Sequence, residues 1–183
     1  MPLTKLNATL GLTGSLPAVS GANLTGISAI TEADMYRFNS DVSGDQNPFT
    51  GSNIERVDDA TFSKIGNGVS YSSGKFTFGA TGLYFVEVTI ILYIDSSAIG
   101  NGQAFLEGTS DDFSNADELF YMNFGGDGNI ERCTNTNSTL FNCTNTSTHK
   151  VRLKFQNMSG NNIQGSSTVT QSGIRFIRLG DSQ

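Results

Sequence analysis

Tryptophan is missing from these 183 residues, histidine occurs once and cysteine twice. The only imidazole, His149, sits just before an alternating strand, where a satisfied or exposed position is far commoner than a catalytic one, so acid–base or nucleophilic chemistry has little to stand on. Cys133, Cys143 and His149 do not have the spacing of a zinc site. Charge is also scarce: charged residues make up 15% of the chain, with 11 basic against 17 acidic and a formal charge of −6. Without a basic cluster the chain lacks what phosphate backbones and anionic membrane surfaces require. The longest apolar run, Tyr84 to Ile94, is too short to span a bilayer and contains Glu87. Met1 to Gly14 carries one Lys, and its apolar residues are broken by Asn, Thr and Gly, unlike a secretory signal. The expectation is a protein assembled in a cytoplasm, with no enzymatic activity, cofactor, nucleic acid partner or membrane insertion.

What is abundant is Gly, Asn, Ser and Thr, the residues of polar turns between many short strands. The length suits one domain with an appendage. The organising stretch is Tyr71 to Tyr93. Lys75 to Phe78 alternates polar and apolar residues, Gly79 to Gly82 forms a turn, and Leu83 to Tyr93 is β-branched and aromatic, which predicts a hairpin. Tyr84, Val86, Val88, Ile90 and Leu92 share one face of the second strand. Leu83, Phe85, Ile91 and Tyr93 share the other with Glu87 and Thr89. A strand that is apolar on both sides needs a cover on each, either a second sheet or a neighbouring subunit.

The ends differ from the middle. In residues 1–30 Leu3, Leu6, Leu10, Leu12, Leu16, Leu24 and Ile27 fit neither helical nor strand periodicity, and a segment unable to bury them alone needs an outside surface. We read it as an attachment arm. Residues 31–52 read as a linker or short helix and loop, with Thr31 as cap and Glu32 and Asp34 at its positive end. Equally, Met35 to Phe38 opens a first strand. Residues 53–183 form the main domain, in which Ala104 to Glu107 and Leu119 to Phe124 are predicted strands. Thr134 to Thr148 is Asn/Thr/Ser-rich around Leu140 and Phe141 and reads either as a surface loop that meets a neighbour or a host or, equally, as a solvated hairpin tip. If the strands flanking it pair, Cys133 and Cys143 could face each other, and a disulfide there would contribute about 2–3 kcal/mol. A cytoplasmic assembly site favours thiols instead.

Three segments carry a resemblance. Tyr71-x-x-Gly74-Lys75-Phe76-x-Phe78-x-x-x-Gly82-Leu83-Tyr84-Phe85, the stretch His149 to Phe155 with Ser159 to Ser167, and Gly173 to Gly180 resemble the C1q and tumour necrosis factor jelly-roll superfamily. The resemblance implies an all-β antiparallel jelly-roll sandwich of ten strands, assembled as a tight homotrimer that buries Phe85, Ile91 and Tyr93. Leu16 to Ile27, Ile30 to Phe38 and Ile54 to Asp58, in that order, resemble virion proteins of marine tailed bacteriophages. These are head decorations, head fibres or tail appendages with jelly-roll bodies. The implied role is a capsid decoration, cement or head-fibre protein whose arm grips the major capsid protein or another virion component. The alternative is a tail-fibre or adsorption protein that binds a host surface receptor or polysaccharide.

Other signals are weaker. Asp111/Asp112 and Asp117/Glu118 are adjacent acids in polar loops, where solvation is the ordinary outcome. Asp127 to Glu131 offers oxygen ligands but lacks the spacing of a calcium loop. Sequons at Asn7, Asn23, Asn137, Asn142, Asn145 and Asn157 are what a chain this rich in Asn and Thr contains by chance, and without a signal sequence no glycan is implied.

Overall fold

The computed structural model describes residues 30–94, 102–125 and 131–183. The arm residues Leu3, Leu6, Leu10, Leu12, Leu16, Leu24 and Ile27 lie outside the described residues, as do Asp127, Gly128 and Asn129.

Two antiparallel sheets face each other. The first contains β1 (Ala33–Phe38), β2 (Val42–Ser43), β3 (Ile54–Arg56), β6 (Gly82–Ile94), β9 (Glu131–Cys143), β11 (Asn161–Ile163) and β12 (Gly173–Gly180). The second runs β4 (Val69–Ser72), β5 (Lys75–Phe78), β10 (Lys150–Gln156), β7 (Gly102–Thr109), β8 (Asp117–Phe124). β6 is the spine of the first sheet. β9 pairs along one edge from Gly82 to Ile94, and β12 and β11 divide the other edge. Its even-numbered residues Tyr84 to Ile94 are all buried, as strict alternation demands of a strand with one face on the core.

Aromatic rings fill the space between the sheets. Phe38, Phe49 and Phe155 meet with centroids 5.4–5.9 Å apart, and Phe76 and Phe78 both reach Phe176 at 5.3 and 5.8 Å. Tilted and edge contacts at this range are the favoured geometry of ring quadrupoles. All six rings are essentially inaccessible, and each is worth roughly 1.5–3 kcal/mol relative to exposure.

Four expectations need correction. Lys75–Phe78 and Gly82–Ile94 are strands, but they are not a hairpin: β5 belongs to the five-stranded sheet and β6 to the other. The hairpin is β4–β5, closed by Ser73 and Gly74 with φ of 50° and 81°. Two successive positive φ angles are what a two-residue turn of matching twist requires. Second, residues 31–52 are neither linker nor helix at their start. β1 is inserted between β12 and β3, so the jelly roll begins before residue 53. Glu32 and Asp34 point inward with Tyr36 and Phe38 at period two.

Third, Leu140 and Phe141 do not sit in a loop but near the end of β9, a 13-residue strand. Its inward middle positions, Asn135 and Asn137 opposite Ile90 and Val88, are amides, so the alternation is hidden until Phe141. Fourth, Cys133 and Cys143 occupy opposite ends of that same strand, roughly 33 Å of extended chain apart, so no disulfide joins them. Burial pushes the Cys143 thiol up to about 11.

Candidate interaction face

The outward side of the seven-stranded sheet is organised in rows, because directly opposed residues of a ladder share a face. At one end Leu140 of β9, Phe85 of β6, Ile177 of β12 and Ala33 of β1 lie in register across four strands. Ile65 extends the row: Ile65 and Ala33 exchange both backbone hydrogen bonds, at 2.8 and 3.2 Å. Leu140 is 57% exposed and Leu179 nearby is 55% exposed. An apolar pocket opens beside the row, lined by Ala33, Met35, Ile177 and, from the β3–β4 connection, Phe62. The result is a continuous apolar belt on a face that no part of the described chain covers, and patches of this kind mark interaction sites.

Beyond the belt the face turns polar. The next row is Ser138, Glu87, Arg175 and Met35, in which Arg175 Nη1 lies 2.6 Å from Glu87 Oε1. After it come Thr136 and Thr89, whose hydroxyls are 3.0 Å apart. Ile91 opposite Thr134 and Tyr93 opposite Arg132 close the far end, with the Arg132 guanidinium 5.6 Å from the Tyr93 ring centre. Phe85, Ile91 and Tyr93 therefore share this outward, half-buried face, but Phe85 belongs to the apolar belt and the other two stand at the opposite end. Leu140 is outward beside Phe85, while Phe141 is inward, 5.2 Å from the Phe78 ring.

The other sheet presents a different outer surface. On β10 Lys150, Arg152 and Lys154 alternate with the buried Val151, Leu153 and Phe155. Asp112 joins Lys150 and Lys75 at 2.7 and 2.8 Å, and Glu107 joins Arg152 and Lys154 at 2.6 and 2.9 Å. Burial alone would raise the Glu107 pKa, but its bonds to Lys154 and Arg152 outweigh burial and hold it below the usual carboxylate value. A face whose charges satisfy one another in this way is built to meet water, in contrast to the apolar belt.

No catalytic arrangement emerges where adjacent acids stand in the sequence. Asp111 accepts from Thr109 and Asn115 in a tight turn, which pushes its pKa down to about 2, and Asp112 and Glu118 are ion-paired with lysines. His149 contacts the hydroxyls of Thr144 and Thr148 at 3.1 and 3.2 Å and packs edge-on to Phe141. Among the described residues no three His, Cys, Asp or Glu side chains cluster as metal ligands.

Sequence reasoning missed a buried acid pair just before and within β1. Asp34 is sealed inside, with both carboxylate oxygens 3.1 Å from Arg56 Nε and Oδ2 accepting from the Val69 N–H at 2.8 Å. Glu32 Oε2 accepts from the Tyr84 hydroxyl at 3.0 Å, while Oε1 faces the Gly79 backbone without completing a hydrogen bond. The available signal was the period-two spacing of Glu32, Asp34, Tyr36 and Phe38.

Two sheets in this order, with the long β6 at the centre and the chain entering beside β12, define a tumour necrosis factor-like jelly roll. Among solved structures the chain is similar to Eiger TNF from S. frugiperda, at 16% identity and a TM-score of 0.62, covering 82% of this chain and 94% of that one. It is similar to murine APRIL at pH 5.0, at 9% identity and a TM-score of 0.60, covering 81% and 98%. The pH 8.5 structure of murine APRIL gives 11% identity, a TM-score of 0.57 and the same coverage. At these identities the likeness is one of fold. No protein-family model and no curated protein matches the sequence.

Proposed function

We propose that this chain is a structural protein of a tailed-bacteriophage virion, a homotrimeric capsid decoration, cement or head-fibre protein held by its N-terminal arm. The observation that carries the reading is the apolar belt of Leu140, Phe85, Ile177, Ala33 and Ile65 at the end of the sheet where the arm leaves the body. Ile30, the first described residue, is itself exposed there. Cyclic packing of three copies repeats one heterologous contact three times, this face of each copy against a different surface of the next, and it places three arms side by side. Each Leu or Ile the arms then bury on a shell protein contributes roughly 1.5–3 kcal/mol, and three linked arms multiply weak single contacts into firm attachment. The phage setting is supported by the order of sequence motifs from Leu16 to Asp58. Assembly in the host cytoplasm and residence in the virion follow from it, with the major capsid protein or another virion protein as partner.

Deleting residues 1–30 tests the arm. Every described strand begins after residue 30, so the truncated chain keeps its body and its oligomeric mass. It fails to join particles when supplied in place of the full chain. Incorporation of the truncated protein at wild-type copy number would overturn the arm's role. The second reading is an adsorption protein at the tail, binding a receptor or polysaccharide. It is favoured by one observation, the exposed Tyr121 beside polar side chains on the five-stranded sheet.

A further inference from the structure

We propose that the outward face of β7, β8 and β10 holds a binding site for a neutral saccharide, with Tyr121 as its stacking plate and the amides of Gln103, Asn123, Gln156 and Asn157 as its polar partners. The inference rests on the same exposed Tyr121 as the adsorption reading and adds the ligand class and its polar partners; it is tested on the isolated protein, so its failure is distinct from the failure of either placement in the particle.

The strand register builds the site. Lys154 of β10, Phe105 of β7 and Tyr121 of β8 form one outward row, and Gln156, Gln103 and Asn123 form the next. Phe105 is closed: Tyr121 packs against it with ring centres 5.8 Å apart, and Lys154 Nζ sits 4.2 Å above its ring. Tyr121 is open, at 54% exposure, and leans on the buried Phe105 ring beside it with 33° between the ring planes. A lone exposed aromatic on a sheet is ordinary. An aromatic plate held rigid beside a full row of amides is not.

The amides are already ordered against one another. Gln103 Nε2 donates to Asn123 Oδ1 at 2.9 Å, and Asn157 Nδ2 donates to Gln103 Oε1 at 2.9 Å. Each primary amide carries two N–H donors and an oxygen with two lone pairs, so two bonds at Gln103 and one each at Asn123 and Asn157 leave donors and acceptors facing water. Their geometry is set before a ligand arrives, which lowers the entropy cost of binding.

Charge selects the ligand class. On the far side of Tyr121 the ions are matched internally, with Lys154 and Arg152 on Glu107 and Lys154 also on Glu118. A polyanion would need cations that are not already paired, and a hydrophobic peptide would need more apolar surface than one ring. A pyranose has an apolar C–H face to lay on a tyrosine, and hydroxyls around its rim that both donate and accept. It therefore matches a ring flanked by amides and no net charge. The site also points away from the apolar belt, so a trimer closed through that belt leaves it in solvent.

The test uses the full chain titrated with cellohexaose, maltohexaose and an N-acetylglucosamine hexamer, with heparin as the charged comparison. Binding is read by isothermal titration calorimetry, which needs no reporter side chain and so gives the affinity of the Tyr121 variants as directly as that of the wild type. The proposal expects at least one neutral oligosaccharide to bind. Tyr121→Ala then weakens binding about tenfold or more, as loss of a stacking ring does. Tyr121→Phe retains it, and Gln103→Ala weakens it without moving the unfolding midpoint. Absence of binding by all three neutral sugars at millimolar concentration overturns the site. So does binding by heparin only, or sugar affinity unchanged in Tyr121→Ala.

Discussion

Glu32 is an unusual residue to find at the mouth of a hydrophobic core. It is 3% exposed, and its Oε1 has no hydrogen-bond partner. Burial raises its pKa above the ordinary carboxylate value of 4.5, against the pull of the Tyr84 hydroxyl in the other direction. A carboxyl whose folded pKa is raised binds its proton more tightly in the native state. Its contribution to stability is complete below about 4.5 and is lost as pH rises through the folded value. Glu32→Gln removes that titration. Its unfolding midpoint, measured by urea at a series of pH values, gains on wild type as pH increases from 4.5 to neutrality. A constant difference at every pH would mean that the carboxyl titrates as it does in the unfolded chain. Asp34, two residues on, is buried too and is held by an ion pair with Arg56. Asp34→Ala removes the acceptor of the Val69 N–H and of Arg56 Nε, while Arg56 Nη2 keeps the Val69 carbonyl at 2.6 Å, and bonds to a charged group are worth about 1.5–3 kcal/mol. A loss of that order in chemical denaturation is expected. A loss below half a kilocalorie would show that water replaces the carboxylate without cost.

At the scale of elements, legibility followed the strength of the alternation. β6, β5 and β12 could be read because inward and outward residues differ in kind along them: Tyr84 to Ile94 against Glu87 and Thr89, or Ile174 and Phe176 against Arg175. The outward position of Phe85, Ile91 and Tyr93 came from the same period. β9 could not be read, because an edge strand whose inward positions include Asn135 and Asn137 has no apolar face over most of its length. What makes it a strand is its pairing with β6 from end to end, a tertiary fact. The disulfide, the less favoured of the two readings of Cys133 and Cys143, assumed a loop between them and fell with it. β1 was ambiguous for a different reason. Glu32 and Asp34 suit a helix N-terminus locally, and their true partners, Tyr84, Arg56 and Val69, lie 22 to 52 residues away in sequence. The sheet assignment of β5 was equally hidden, because a strand, a turn and a strand read the same whether the turn joins neighbours in one sheet or crosses between two.

For the whole molecule, the two outer faces divide the work. One carries ion pairs closed on themselves and an amide-rimmed tyrosine, surfaces at home in water. The other carries an apolar belt that reaches Ala33 at the start of β1. The claim on which the functional reading rests is that copies of this chain associate through that belt, and the mass of the protein in solution tests it most directly. Sedimentation equilibrium of the full chain should give three times 19.5 kDa, and Phe85→Glu, which places a charge in the middle of the belt, should give a folded species of 19.5 kDa. A wild-type protein that sediments as a single chain at micromolar concentration, or a Phe85→Glu variant that stays trimeric, would contradict it.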